Sequence, residues 1–474
     1  MRNNLLYSIL NVVFNAIVPI LVFPYIARVL GVEALGKYNF YASAQSYLLL
    51  ISSFGVSIYG VKELGKINDS FLKRKSIYSE LISINLITCL ICSIFIFYIA
   101  FFSKYNNDWK IILIFGTSLF SSVIGPDWYF IATENQKYLL LRNIFFKILF
   151  VFCVFIFIKD PSDLLIYVVI TIIGTYGTSV FNFFVIKKEI DIRFVFGKKL
   201  YRHIKPLFGI FLIEVLLRFL GLGDVVLLGR LKGDISVGFY SMALKVILLS
   251  ISVMNITATT LLPRASYYLS NNQESNFKLL TKYTISTLFT ISGLFFLIIY
   301  WNADLIILIL GGKDFAPSVD VLKMLSITLL FIPIINTLVF QVLYAKNRVK
   351  MLVITYIFAL IINIALNIIF VSRFDFKGTA YAFLLTYLIL FIIFILNKKE
   401  KLLTYFSNNI IKTICSIIMT FSLCYFLVFG LKLNNVIVIN MCILLIYFGL
   451  LLMFQEETII KVTHILDLKN KKYD

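Results

Sequence analysis

Fourteen apolar runs fill most of this chain, and no other feature restricts its fold so sharply. A helix that crosses hydrocarbon needs about 20 mostly apolar residues. Within hydrocarbon, every backbone N–H and C=O must be bonded by the protein itself, which leaves helices or closed barrels. The runs extend over Leu5–Leu30, Phe40–Gly60, Ile77–Phe102, Ile111–Ala132, Ile144–Ile158, Leu164–Ile186, Leu207–Gly229, Val237–Leu262, Tyr283–Trp301, Val321–Ala345, Met351–Val371, Gly378–Leu396, Ile410–Leu431 and Val436–Phe454. They predict an all-α polytopic membrane protein with little chain left over; the longest gap, Lys187–Pro206, is a loop. Composition agrees: 60% of the 474 residues are apolar and 14% charged, against about 45–50% and about 25% in soluble domains. The first run is too long for a signal-peptide core and is read as a retained span. The lipid bilayer is therefore the first partner that the sequence implies.

The chain carries 44 Lys and Arg against 24 Asp and Glu, a formal charge of +20. Most of these cations fall in alternate loops, such as Lys62–Lys75, Lys187–Lys205 and Lys398–Lys412, on the side that also holds Arg2 and the C-terminal lysines. By the positive-inside rule both termini are expected in the cytoplasm. No basic face sits on a soluble module, so nucleic acid is not an expected partner. The six cysteines lie in or near apolar runs, and the Cys89–Cys92 pair reads as packing rather than redox chemistry. No zinc spacing, phosphate loop or nucleophile elbow occurs, so no cofactor and no catalytic set is expected.

After the first run the chain reads Arg28, Gly31, Gly36, Tyr38; after the seventh it reads Arg230, Gly233, Gly238, Tyr240, at a constant offset of 202. Six spans separate the copies, which makes the repeat parallel. It predicts two six-helix lobes, 1–190 and 191–400, followed by two extra helices and a basic tail over 401–474. The offset also maps Pro19 onto Gly221. Helix breakers at matching places in two halves point to a transporter's substrate site, so Pro19, Pro24, Gly221 and Gly223 are hinge candidates. The four repeat glycines themselves fit turn chemistry between adjacent helices better than ligand contact.

Ionisable groups inside spans are costly and are functional candidates by default. Lys245 lies about two turns into the eighth run with no acid at i±3 or i±4. Glu214 and Arg218 share a face of the seventh run and can pair with each other. Asp224 follows the Gly221–Gly223 pair, where it can serve a cation or simply be solvated. Asp127, beside Pro126 and Trp128, fits an interfacial reading, and Lys147 fits snorkelling. Arg28, Arg218, Arg230 and Lys245 together suit a phosphate-bearing substrate. Tyr38 and Tyr240 are candidates for stacking on sugar rings.

The run PYIARVLGVEALGKYNFYASAQSYLLLISSFGVSIYGVKELGK resembles the opening of bacterial O-antigen and capsular polysaccharide repeat-unit flippases, within the multidrug/oligosaccharidyl-lipid/polysaccharide exporter superfamily. Pro24, Tyr25, Arg28, Gly31, Gly36, Tyr38, Gly55 and Glu63 carry the likeness. So do DVVLLGRLKGDISVGFYSMALKV, Leu262-Pro263-Arg264 and Gln341, Tyr344 and Ala345. The resemblance implies two lobes, alternating access and a central cationic cavity in which Arg28 and Lys245 stand like the family's cavity cations. It implies a polyprenyl-diphosphate-linked oligosaccharide as substrate, a groove for the polyprenyl tail at the last two helices, and Na+ or H+ as coupling ion, for which Glu214, Asp224 and Asp127 are candidates. A polysaccharide polymerase and a chain-length regulator are the implied protein partners. Three rivals stand beside it: a lipid II-type exporter, a multidrug exporter, which calls for acidic rather than basic cavity residues, and a polytopic polymerase or glycosyltransferase, which calls for a large external loop.

Overall fold

The computed structural model describes residues 2–65, 71–191, 193–346, 348–397, 402–407, 409–430 and 435–454. The basic tail expected beyond residue 454 lies outside them. Among the described residues every regular element is helical. By internal contact the chain separates into two compact units: Met1–Gly238 with Leu310–Asp314, and Phe239–Ile309 with Phe315–Asp474. The division into 1–190, 191–400 and 401–474 concerns sequence correspondence, and it stands as a proposal beside this division by contact.

The first unit holds α1 (Arg2–Ser53), α2 (Val56–Gly65), α3 (Phe71–Phe102), α4 (Trp109–Thr117), α5 (Ser121–Ile124), α6 (Asp127–Ala132), α7 (Gln136–Phe157), α8 (Leu164–Glu189) and α9 (Tyr201–Lys232). Helix α1 packs on α7, α9 and α3, and α2 lies on α6. A buried cluster of Tyr59, Tyr78, Trp128, Tyr129, Phe130 and Leu207 ties α2, α3, α6 and α9 together. The second unit holds most of α10 (Asp234–Ser270), then α11 (Glu274–Trp301), α12 (Ala303–Gly311), α13 (Ser318–Ser326), α14 (Ile332–Thr337), α15 (Val349–Phe374), α16 (Phe376–Ile395), α17 (Asn409–Tyr425) and α18 (Val436–Met453). Here α11 is central, touching α13, α14, α17 and α18. Small and polar residues set these contacts, as expected where lipid supplies no hydrophobic drive between helices. Tyr447 donates to the Thr290 carbonyl at 2.9 Å, and Asn302 and Asn440 exchange amide bonds at 2.7 and 3.2 Å. The last two helices are thus anchored on α11.

Among the described residues twelve segments are long and apolar enough to cross a membrane. They cover all the expected runs except the first and seventh, which lie in α1 and α9 and are helical throughout. The expected fourth and tenth spans are discontinuous. In the fourth, α4 passes into a 3₁₀ turn at Ser118–Phe120, and extended backbone at Gly125–Pro126 separates α5 from α6. In the tenth, a 3₁₀ turn at Ile327–Leu330 precedes α14, and a π-helix follows over Leu338–Tyr344.

The hinge candidates fall on unbroken helix. Backbone dihedrals stay helical through Pro19 and Pro24, and α1 departs from them at Gly31 (φ 75°, ψ −177°). Likewise α9 runs through Gly221 and Gly223 and ends at Gly233 (φ 87°, ψ −173°). A proline inside a membrane helix forfeits a hydrogen bond that neighbours can replace, whereas a left-handed φ ends the helix locally and favours glycine.

Candidate functional site

In the first unit the glycine repeat becomes a reciprocal backbone contact. A Cβ on Gly36 would fall on the carbonyl oxygen of Asp234 and lie 2.8 Å from the Gly238 nitrogen. A Cβ on Gly238 would fall on the carbonyl oxygen of Val32 and lie 2.8 Å from Val32 Cγ1. Val32 and Asp234 are themselves related by the offset of 202, so each copy of the motif presses its glycine onto the same point of the other. Gly31 and Gly233 supply the turns. Gly36 and Gly238 supply closeness of backbones, as small residues do at membrane helix crossings.

Beside this crossing lies a cavity of about 570 Å³ between α1, α3, α4 and α9. Phe40, Leu48, Phe95, Ile96, Ile112 and Phe115 give it an apolar wall, while Tyr41, Gln45, Lys104, Tyr105 and Arg230 supply polar groups. The Gln45 amide donates to Ser118 Oγ at 2.5 Å and to the Tyr176 hydroxyl at 3.1 Å. Tyr41 donates to Asp108 at 2.7 Å, and Lys37 pairs with the same carboxylate at 2.5 Å. Tyr47, one turn beyond on α1, directs its hydroxyl at the Arg218 carbonyl at 3.3 Å.

The sequence candidates distribute as follows. Arg28, Arg218 and Arg230 are exposed in the first unit, and Arg230 lines the cavity. Among the described residues Glu214 and Arg218 are not joined by an ion pair, although they share a helix face. Glu214 is half-buried; Asp224 is fully buried, and its charge bears on Tyr47. The ring of Tyr38 packs against Tyr167, centroids 4.6 Å apart, and against Phe115. In the second unit Lys245 is half-buried on α10 and Tyr240 is fully buried. Asp127 is held by Arg142, NH1 and NH2 lying 2.8 and 3.0 Å from its two oxygens.

Arg142, which the apolar runs leave between the fourth and fifth spans, lies instead in α7, buried, and also donates to Asn182 at 2.5 Å and Asn143 at 2.7 Å. A second cluster that the sequence did not single out joins α2, α3 and α9. Buried Glu80 accepts from Arg202 at 2.7 Å, Ser76 at 2.9 Å and His203 Nε2 at 2.9 Å, while Tyr59 meets His203 Nδ1 at 3.0 Å. The acids and bases of both clusters lie far apart in sequence or at loop edges, so spacing alone does not pair them.

A family model described as "Polysaccharide biosynthesis protein" matches residues 1–269, and one described as "MatE" matches residues 209–369. Two proteins bearing the name "Putative O-antigen transporter" are similar to the chain. The one from Escherichia coli (strain K12) is 26% identical over 74% of this chain and 85% of its own. The one from Shigella dysenteriae is 22% identical over 77% and 91%. Among solved structures, "Lipid II flippase MurJ, inward closed conformation" superposes with a TM-score of 0.76 at 17% identity, covering 96% of this chain and all of that one. An inward-facing MATE family multidrug resistance transporter superposes with a TM-score of 0.62 at 14% identity, covering 85% and 93%. These two likenesses establish a shared all-α membrane fold.

Proposed function

Because the chain belongs to the polysaccharide biosynthesis protein family, whose model matches more than half of it, we propose that it is a flippase for a polyprenyl-diphosphate-linked oligosaccharide. The substrate is an O-antigen or capsule repeat unit, moved by alternating access from the cytoplasmic to the outer leaflet of a bacterial inner membrane. The relatives named for O-antigen transport support this reading, and none of the matched names describes a catalyst. The sugar diphosphate cannot cross hydrocarbon unaided; a protein path that shelters it while the tail stays in lipid lowers that barrier.

The observation that carries the reading is the placement of cations on transmembrane helices: Arg28 on α1, Arg218 and Arg230 on α9, and Lys245 on α10. Guanidinium and ammonium groups match phosphate oxygens in charge and geometry. A multidrug exporter for cationic compounds would invert that sign. Glu214 and Asp224, both on α9, are the proposed sites for a coupling Na+ or H+, with Asp127, which pairs with Arg142, as the third candidate. A polysaccharide polymerase and a chain-length regulator are the proposed partners.

The test is complementation of a flippase-null strain with Arg28→Ala and Lys245→Ala, reading surface polysaccharide together with membrane insertion. Both variants are expected to insert and to lose the glycan. Normal glycan from both overturns the cationic site. Repeating the assay across null strains that make different repeat units, and in one lacking its lipid II flippase, identifies the oligosaccharide.

A further inference from the structure

The cavity in the first unit has a composition that a sugar does not explain. Its wall is aliphatic and aromatic, and its size falls within the ~300–1,000 Å³ of small-ligand pockets. Its charged groups are Lys104 and Arg230. Lys104 lies two residues past the end of α3, and Arg230 lies in the last turn of α9. Both therefore stand at the end of a span, the depth at which lipid phosphates sit, while the apolar wall belongs to the spans themselves. The nearby carboxylate, Asp108, is neutralised by Lys37 and bonded by Tyr41. Asp234, whose charge also bears on Tyr41, is offset by the same Lys37. Neither Lys104 nor Arg230 makes an ion pair among the described residues; Lys104 lies over the Tyr105 ring at 5.0 Å. Gly116 lets α4 sit close on α3 at the cavity wall, since a Cβ there would press on Ile96 at 3.1 Å.

We propose that this cavity binds one acyl chain of an anionic membrane phospholipid, with the lipid phosphate held by Lys104 and Arg230. An apolar void within a bilayer is filled by the chains around it, and guanidinium and ammonium groups at the end of a span bind lipid phosphate oxygens by charge-assisted hydrogen bonds. The volume suits a single chain; the long isoprenoid tail of a lipid-linked sugar would overfill it. Arg230 is common to both readings: if it holds a lipid phosphate, the flippase reading rests on Arg28, Arg218 and Lys245, and if the flippase reading fails, the lipid assignment still stands on the cavity and Lys104.

Native mass spectrometry of the delipidated full-length protein tests it, with phosphatidylglycerol, phosphatidylcholine and a polyprenyl phosphate as titrants. The wild type is expected to hold one phosphatidylglycerol in preference to phosphatidylcholine. Ala44→Phe, which fills the cavity from α1, is expected to weaken that binding on the order of tenfold. The Lys104→Gln/Arg230→Gln pair leaves the wall intact and is expected to abolish the headgroup preference, a change on the order of tenfold. If Ala44→Phe does not fold, judged by its melting curve, the charge pair alone decides. Undiminished binding in folded Ala44→Phe, an unchanged preference in the charge pair, or displacement of the phospholipid by equimolar polyprenyl phosphate overturns the proposal.

Discussion

Arg142 shows how far a single side chain can depart from the meaning its charge suggests. Most cations of this chain mark a membrane face, but Arg142 is buried and binds Asp127, Asn182 and Asn143. Breaking a buried pair by removing one partner costs about 3–5 kcal/mol. Asp127 keeps half its side chain exposed and can be rehydrated, so Arg142→Ala is expected to cost about 3 kcal/mol, the low end of that range. Thermal melts in detergent check this, and a loss below about 1 kcal/mol would show the network to be incidental. Tyr59→Phe removes one hydrogen bond to His203 and is expected to cost only about 1 kcal/mol. A sequence reports which residues are charged, and at helix edges it does not report which way they point. That is why Asp127 was legible as an acid near the end of a span and its partner was not. Lys245 stands out in the sequence because it lies deep in an apolar run with no helix end nearby, and its place in a binding site is a proposal.

The helices were legible for a simple reason: hydrocarbon leaves a long apolar run almost no other backbone state. Their interruptions were less so. Proline is a visible breaker, yet α1 continues through Pro19 and Pro24 and departs from helix at Gly31. The reverse holds at Gly125–Pro126, where the helix does break, because Asn182 replaces the lost helical bond by donating to the Gly125 carbonyl at 2.8 Å. Such compensation depends on a partner from another helix. The glycine repeat was legible as a pattern, but its two pairs of glycines act differently, which yields a contrast that can be measured. Gly31 and Gly233 have positive φ and open space around the missing Cβ. With ψ near 180° as well, both sit in a region that is essentially restricted to glycine, so alanine at either is expected to cost about 1–3 kcal/mol of backbone strain without a clash against the facing helix. Gly36 and Gly238 are helical, and a Cβ on either strikes a facing carbonyl. Alanine there forces the two backbones apart, costing about 1–3 kcal/mol as overpacking does, and is expected to reduce surface glycan sharply. Since both substitutions push on one crossing, the double variant is expected to cost clearly less than the sum of the singles. Additive losses in a melting series would show that the two glycines do not share a contact.

For the molecule as a whole, if the proposed lipid-linked diphosphate is its cargo, the decisive quantity is the charge that moves with it. A membrane potential acts on each elementary charge with about 2.3 kcal/mol per 100 mV. A diphosphate carrying two charges therefore gains about 5 kcal/mol when it leaves a negative interior at 100 mV. This holds if the protein's own cations return unladen and no other ion crosses in the same cycle. A coupling cation that enters as the substrate leaves adds to the same electrical drive, so uptake of Na+ or H+ through Glu214 or Asp224 would steepen the voltage dependence rather than cancel it. In vesicles holding the purified full chain and a fluorescent lipid-linked oligosaccharide, an inside-negative potential is expected to accelerate outward flipping. Collapse of the potential with an ionophore is expected to slow it. If Glu214 and Asp224 carry the coupling ion, Glu214→Gln with Asp224→Asn is expected to flatten the response without removing it, because the substrate's own charge still crosses. Flipping that ignores the potential in the unmodified protein would mean that the anionic group crosses fully neutralised. Counter-cations from solution would then cross with the phosphate, since the protein's own cations return at the end of each cycle.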